Sequence, residues 1–311
     1  MRKFNLRGTV IQRMKGIERE EPKTGSEQTE ENSSVSLTAA FYPEQGVLKC
    51  AWRTDVGKLR KNNQDAVILG NGLAGVADGM GGHKGGEIAS AGLRDGLIRE
   101  TKDVIPSEEK LAEAVRTVNL ELWERQEKDP SLSGMGTTLT ILWPTENKML
   151  IGQVGDSRAY LLRDGELIQV TNDHSMVADM VRKGILTEEQ ASCHPMRNYI
   201  TRAVGTEEDV EIDLSVHNRC CGDRWLICSD GLHGMVDKNN MRLMLMNESL
   251  ETAADNLLQA ALDNGGKDNI SLVILEDQTE IRTEEEKPTD ISSETHPEAT
   301  TENGAEEVAP Q

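Results

Sequence analysis

Four aspartates far apart in the chain each sit at one end of an apolar run, and three of them are followed by glycine or asparagine. They stand in GLAGVADGMGG (Asp78), MLIGQVGDSR (Asp156), RWLICSDG (Asp230) and GGKDNISLVI (Asp268). Carboxylates gathered from strand edges onto one rim of a sheet repel each other unless hard divalent cations lie between them. The pattern therefore suggests a metal site built from oxygen ligands. Taken singly, each aspartate is as readily a strand-end turn or a cap. Asp78-Gly79 opens a glycine-rich turn, Gly79-Met80-Gly81-Gly82, where backbone can approach a ligand and expose a carbonyl. A carboxylate beside such a carbonyl suits Mg2+ or Mn2+. A second segment, Arg60-Lys61-Asn62-Asn63-Gln64-Asp65, brings a guanidinium, amides and a carboxylate together. The planar fork of arginine matches a phosphate; the plain alternative is a solvated turn.

Other polar clusters compete for attention. Asp173-His174-Ser175 reads either as a base with an orienting acid or as the cap of a following helix. His83 and His174 are candidates for proton transfer or for structural hydrogen bonds. Gly136-Thr137-Thr138-Leu139-Thr140 opens a β-branched strand and is assigned to packing. Cys220-Cys221 and Cys228 border strands and are read as core. Ser229 precedes Asp230 without a Gly-x-Ser-x-Gly elbow, which argues against a serine hydrolase.

The elements that must position these groups are segregated along the chain. Periodicity predicts strands at 47–54, 66–69, 73–77, 137–143, 148–155, 157–163, 166–170, 210–216, 224–229 and 270–275. Helices are predicted over about 86–101, 108–127, 175–183 and 249–263. In the second, Leu111, Val115, Val118, Leu122 and Trp123 share a face. Asp164-Gly165 marks a hairpin turn. Hairpin-linked strands interrupted by a helix pair favour an α+β layered fold over a βαβ winding.

Composition bounds the rest. The chain has 311 residues and a net charge of -20. Residues 277–311 hold eleven acidic and two basic side chains and no aromatic, so this tail is expected to be disordered. Residues 1–46 are read as an N-terminal extension and linker. Its basic first 17 residues carry Leu6, Val10, Met14 and Ile17, a spacing that fits either a short amphipathic helix or an unstructured arm. The folded domain is placed at 47–276. Its acidic balance argues against nucleic-acid binding through a basic face. No apolar run reaches the roughly 18 residues of a membrane span. Five cysteines without a zinc-like spacing, and no visible signal peptide, point to a reduced, cytoplasmic protein. A monomer is expected.

Thr54-Asp55-Val56-Gly57, Arg60, Asn63-Gln64-Asp65 and Ala77-Asp78-Gly79-Met80-Gly81-Gly82-His83 open an ordered motif series. Gly136-Thr137-Thr138, Gly155-Asp156-Ser157-Arg158, Thr171-Asn172-Asp173-His174-Ser175, Ile200 to Gly205, Ser229-Asp230-Gly231-Leu232 and Asp268-Asn269-Ile270-Ser271 continue it. The series, spread over residues 47–276, resembles the metal-dependent, protein phosphatase 2C-like family of bacterial type. That resemblance implies a four-layer α-β-β-α sandwich with two central antiparallel sheets. It implies two Mn2+ or Mg2+ ions held by Asp78, the Gly79 carbonyl, Asp230 and Asp268, with Asp65 acting through water. Asp156 would serve a third ion, Arg60 would grip the substrate phosphate, and 173–203 would form a flap beside the site. The implied reaction is direct attack of an ion-bridging hydroxide on phosphoserine or phosphothreonine, opposing a bacterial serine/threonine kinase. Two positions depart from relatives. Met80 stands where eukaryotic members carry a histidine, and Gln64 stands where many carry an acid. The alternatives are a pseudophosphatase acting as a regulatory binding module, and a two-metal nuclease or pyrophosphatase. The first usually lacks a metal aspartate, and the acidic surface disfavours the nuclease.

Overall fold

A computed structural model describes residues 39–41, 48–81, 85–246 and 249–278. The basic segment 1–17, the linker and His83 lie outside the described residues; of the tail placed at 277–311, Asp277 instead ends the last strand, and residues beyond 278 lie outside the described residues.

In chain order the elements begin with β1 Ala39–Phe41, β2 Leu48–Asp55, β3 Asp65–Gly70, β4 Leu73–Met80, α1 Gly85–Glu100 and α2 Glu108–Lys128. Next come β5 Gly136–Thr137, β6 Leu139–Pro144, β7 Lys148–Val154, β8 Arg158–Arg163 and β9 Glu166–Gln169. The segment 173–203, expected to be a flap, contains α3 Met176–Arg182 and α4 Glu188–Ser192. β10 Asp213–Asn218, β11 Arg224–Cys228, α5 Asp230–His233, α6 Lys238–Leu245, α7 Leu250–Asp263 and β12 Ile270–Asp277 complete the order.

One sheet runs β1-β2-β12-β11-β8-β9 and the other β10-β7-β6-β4-β3, with β5 added beside β4. Every strand pair is antiparallel. Alternation along the strands builds three apolar layers. On β12, Ile270, Leu272 and Ile274 face α6 and α7, where they meet Leu245, Ala254 and Leu257. Val273 and Leu275 point the other way, onto Val76, Leu142 and Ile151 of the second sheet. That sheet's outer face packs Leu73, Leu139 and Ile141 on Leu93, Val115 and Val118 of α1 and α2. The result is the expected α-β-β-α sandwich.

Local chemistry sets the element ends. Ser107 caps α2 by accepting from the Lys110 amide at 3.2 Å. Asp164 and Gly165 turn the β8–β9 hairpin with φ of 52° and 79°, as that dipeptide requires. Asn71-Gly72 does the same between β3 and β4, at 49° and 81°.

Several expectations need correction. β10 begins at Asp213, three residues later than predicted. A strand at 39–41 pairs with β2 ahead of the expected domain start. The short helices α4, α5 and α6 were not expected. Cys220 and Cys221 are exposed in the β10–β11 turn; only Cys228 of the three is core.

Candidate metal centre

Antiparallel order decides which strand ends share a rim. β4 and β7 run the same way, each separated from the other only by β6, so Asp78 and the residues after Val154 emerge together. β3 runs opposite to β4, which puts its first residue beside them: Asp65 is the register partner of Asp78. In the other sheet, β11 ends and β12 begins at one rim, carrying Asp230 and Asp268. Asp156 sits in the three-residue step from β7 to β8, where the chain crosses from one sheet to the other.

The aspartates share one electrostatic field. Asp78 is held well above the usual carboxylate range, first by desolvation and then by Asp65, Asp230, Asp156 and Asp268. Asp65 is raised to about 7, mainly by desolvation, with Asp230 and Asp268 adding repulsion. Asp156 is raised to about 7 by desolvation, then by Asp230 and Asp173. Asp230 rises to about 6 through desolvation and Asp268. The residues are half-buried, yet Asp65 Oδ1 and Asp230 Oδ1 are hidden from solvent without a hydrogen-bond partner among the described residues. Hidden carboxylate oxygens that nothing donates to are suited to a cation. Among the described residues no three His, Cys, Asp or Glu side chains form a complete ligand group. The acids repel as a set, and the donor chemistry fits hard divalent ions.

Arg60 stands at the lip. Its Nη2 donates to Asp268 Oδ2 at 2.6 Å, and half of its side chain is exposed. The loop that carries it is pinned by Asn269, a residue given no role of its own in the sequence. Asn269 Oδ1 accepts the Gln64 amide at 2.8 Å, and its Nδ2 donates to the carbonyls of Val56 at 2.9 Å and Asn62 at 3.0 Å. Gly57 has φ of 77°, and a Cβ there would sit 2.2 Å from the Asp268 carbonyl oxygen. Only glycine allows the loop this close.

Residues assigned to packing turn out to position the acids. Thr138 Oγ1 accepts the Asp78 amide at 2.9 Å and bonds Ser157 Oγ at 2.7 Å. Thr137 Oγ1 and the Thr138 amide both donate to the Asp78 carbonyl, at 2.9 and 2.8 Å. Ser229 Oγ donates to Asp65 Oδ2 at 2.8 Å and accepts the Ser271 amide at 3.0 Å. The serine dismissed as a nucleophile thus anchors a carboxylate. Gly79 pairs with Thr137, and a Cβ on it would lie 2.1 Å from the Gly86 carbonyl oxygen.

The flap root is charged and ordered. Arg158 grips Asp173 with Nε at 2.9 Å and Nη2 at 2.7 Å. Ser175, not Asp173, caps α3, accepting from Ala178 at 3.3 Å. His174 makes structural hydrogen bonds. His233 is pushed down to about 3 by desolvation, so its neutral ring can donate from Nε2 to the Asp156 carbonyl at 3.1 Å.

Residues 59–265 match the family model described as Protein phosphatase 2C. Over 231 residues, 73% of the chain, the sequence is 41% identical to the serine/threonine protein phosphatase PstP of Mycobacterium tuberculosis, and it covers 45% of that protein. The chain thus spans about half the length of that relative. It is 37% identical over 237 residues to the serine/threonine phosphatase stp of Listeria monocytogenes, covering 72% of this chain and 94% of that one. A crystal structure of the Mycobacterium phosphatase superposes with a TM-score of 0.71 at 39% identity, over 74% of this chain and 99% of that one. The PstP catalytic domain in complex with two manganese ions gives 0.69 at 38% identity, over 74% and 98%. An ordered series of strand-end acids, a four-layer sandwich and these matches have one explanation: the chain belongs to the protein phosphatase 2C family.

Proposed function

We propose that this chain is a metal-dependent serine/threonine phosphoprotein phosphatase. The observation that carries the reading is the desolvated carboxylate field on one rim, with two hidden oxygens that nothing donates to. Asp78, the Gly79 carbonyl, Asp230 and Asp268 would hold two Mn2+ or Mg2+ ions, Asp65 would act through water, and Asp156 would serve a third ion. Such ions, when bound, acidify water at neutral pH and neutralise charge on a phosphoryl group. The protein's own part is positional. Thr137, Thr138 and Ser229 hold two of the acids in place before any cation arrives. Arg60, half exposed and on a pinned loop, can turn from Asp268 to a phosphate oxygen. Asp268 is then released from its ion pair as substrate is gripped.

The substrates are proposed to be phosphoproteins, placing the enzyme opposite a bacterial serine/threonine kinase, as a monomer in the cytoplasm. No described helix is long and apolar enough to cross a membrane. The pseudophosphatase reading gains no support, since none of the acid positions is lost. Asp78→Asn and Asp230→Asn should each abolish Mn2+-dependent phosphate release from a phosphothreonine peptide. Wild-type turnover in both variants would reject the assignment; faster hydrolysis of DNA or pyrophosphate than of phosphopeptide would redirect it.

A further inference from the structure

The His174 side chain touches three separate segments at the flap root, and no step above uses it. Its ring is buried, with 4% of the residue exposed. Nδ1 accepts the Gly155 amide at 3.1 Å. A ring nitrogen that accepts carries no proton, so the proton of the neutral ring lies on Nε2. Nε2 is 3.2 Å from Asp213 Oδ2 on β10 and equally 3.2 Å from Arg202 Nη1. Asp213 is also held by Arg202 at 2.7 Å, and Arg202 belongs to the segment by which the chain leaves the flap. The backbone of His174 repeats the pattern. Its amide donates to the Gly155 carbonyl at 2.9 Å, and its carbonyl accepts from Thr201 at 2.8 Å. One residue therefore joins the entry of the flap, its exit, and the turn that carries Asp156.

That turn has little freedom of its own. Gly155 adopts φ of 100°, and a Cβ there would lie 2.6 Å from Thr138 Cγ2. The orientation of its peptide planes sets the direction in which Asp156 leaves the backbone. We propose that His174 is a positioning residue that fixes the Gly155–Asp156 turn and ties it to the flap exit through the Asp213–Arg202 pair. The inference rests on the phosphatase reading in one respect only, that Asp156 serves a cation.

Two near-isosteres separate the halves of the link. An asparagine amide oxygen can stand where Nδ1 does, and a glutamine amide nitrogen where Nε2 does. His174→Asn should keep the Gly155 bond and lose Asp213; His174→Gln should do the reverse. The test uses the full chain. Amide hydrogen exchange is followed by NMR in metal-free protein, and Mn2+ binding by calorimetry. His174→Gln should speed exchange at Gly155 about tenfold, the equivalent of one net hydrogen bond. It should also weaken by about tenfold the Mn2+ step that Asp156→Ala removes. His174→Asn should leave Gly155 protected and instead speed exchange at Thr201. Indistinguishable effects of the two variants, or wild-type exchange at Gly155 in His174→Gln, would overturn the proposal. If Asp156→Ala leaves the Mn2+ isotherm unchanged, the cation role of Asp156 fails, while the exchange data still judge His174.

Discussion

Replacing Asp65 by asparagine should stabilise the metal-free protein while disabling the metal-loaded one. Asp65 is raised from 3.8 to about 7. At about 1.4 kcal/mol per pH unit, ionising it in the folded state costs at most roughly 4 kcal/mol. The residue is half-buried, so solvent screening brings that nearer to about 2 kcal/mol. Asparagine retains an oxygen for Ser229 and turns an N–H toward the negative field of Asp230 and Asp268. Desolvating the amide takes back about 1 kcal/mol, leaving a net gain of about 1 kcal/mol or more at pH 8 in EDTA. The sign follows from linkage. The folded pKa lies above the unfolded one, so the native state binds the extra proton between about pH 4 and pH 7. Wild-type stability falls as pH rises through that window and is flat above it. The advantage of Asp65→Asn should be full at pH 8 and nearly gone at pH 4. Urea unfolding at both pH values measures it. With excess Mn2+ the order should invert, because the wild type gains more from binding. An Asp65→Asn protein less stable than wild type at pH 8 in EDTA would refute the reasoning.

Three further outcomes are expected. Thr138→Val leaves the Asp78 amide without its acceptor and should cost about 1–3 kcal/mol in urea titration, with at least a tenfold loss of kcat/KM. Arg60→Ala should lower kcat/KM for a phosphopeptide about 10- to 100-fold, mainly through KM, from lost charge-assisted bonds, with Mn2+ affinity by calorimetry undiminished once Asp268 is free. Gly231→Ala places a Cβ 1.9 Å from the Asn269 carbonyl oxygen; a clash with backbone should lower the melting temperature by well over 10 °C or prevent soluble expression.

Asp78, Asp156, Asp230 and Asp268 were legible because each stands at one end of an apolar run beside a turn, a local signal that needs no partner. Their supports were not. Ser229 contacts Asp65 across 164 residues, Thr138 reaches Asp78 across 60, and Asn269 reaches Gln64 across 205. A hydroxyl beside β-branched neighbours looks like packing until the chain folds back on it. The layers were readable from strand alternation and from the α2 stripe. Helices α4, α5 and α6 were missed because one or two turns carry too little periodicity to stand out. Cys220-Cys221 misled because thiols are commonly buried, whereas here they lie exposed in the turn, with Gly222 at φ of 85°, by which the chain passes from one sheet to the other.

Asp65 and Asp78 belong to one leaf of the sandwich, Asp230 and Asp268 to the other, and Asp156 to the hinge of chain between them. Neither leaf alone owns a complete ion pocket. The seam of Ala74, Val76, Ile227 and Val273 therefore sets the spacing between the two sets of acids. On the proposed reading, a nascent chain with a single finished leaf would lack a hydrolytic centre, and competence would arrive only when the two halves close on each other.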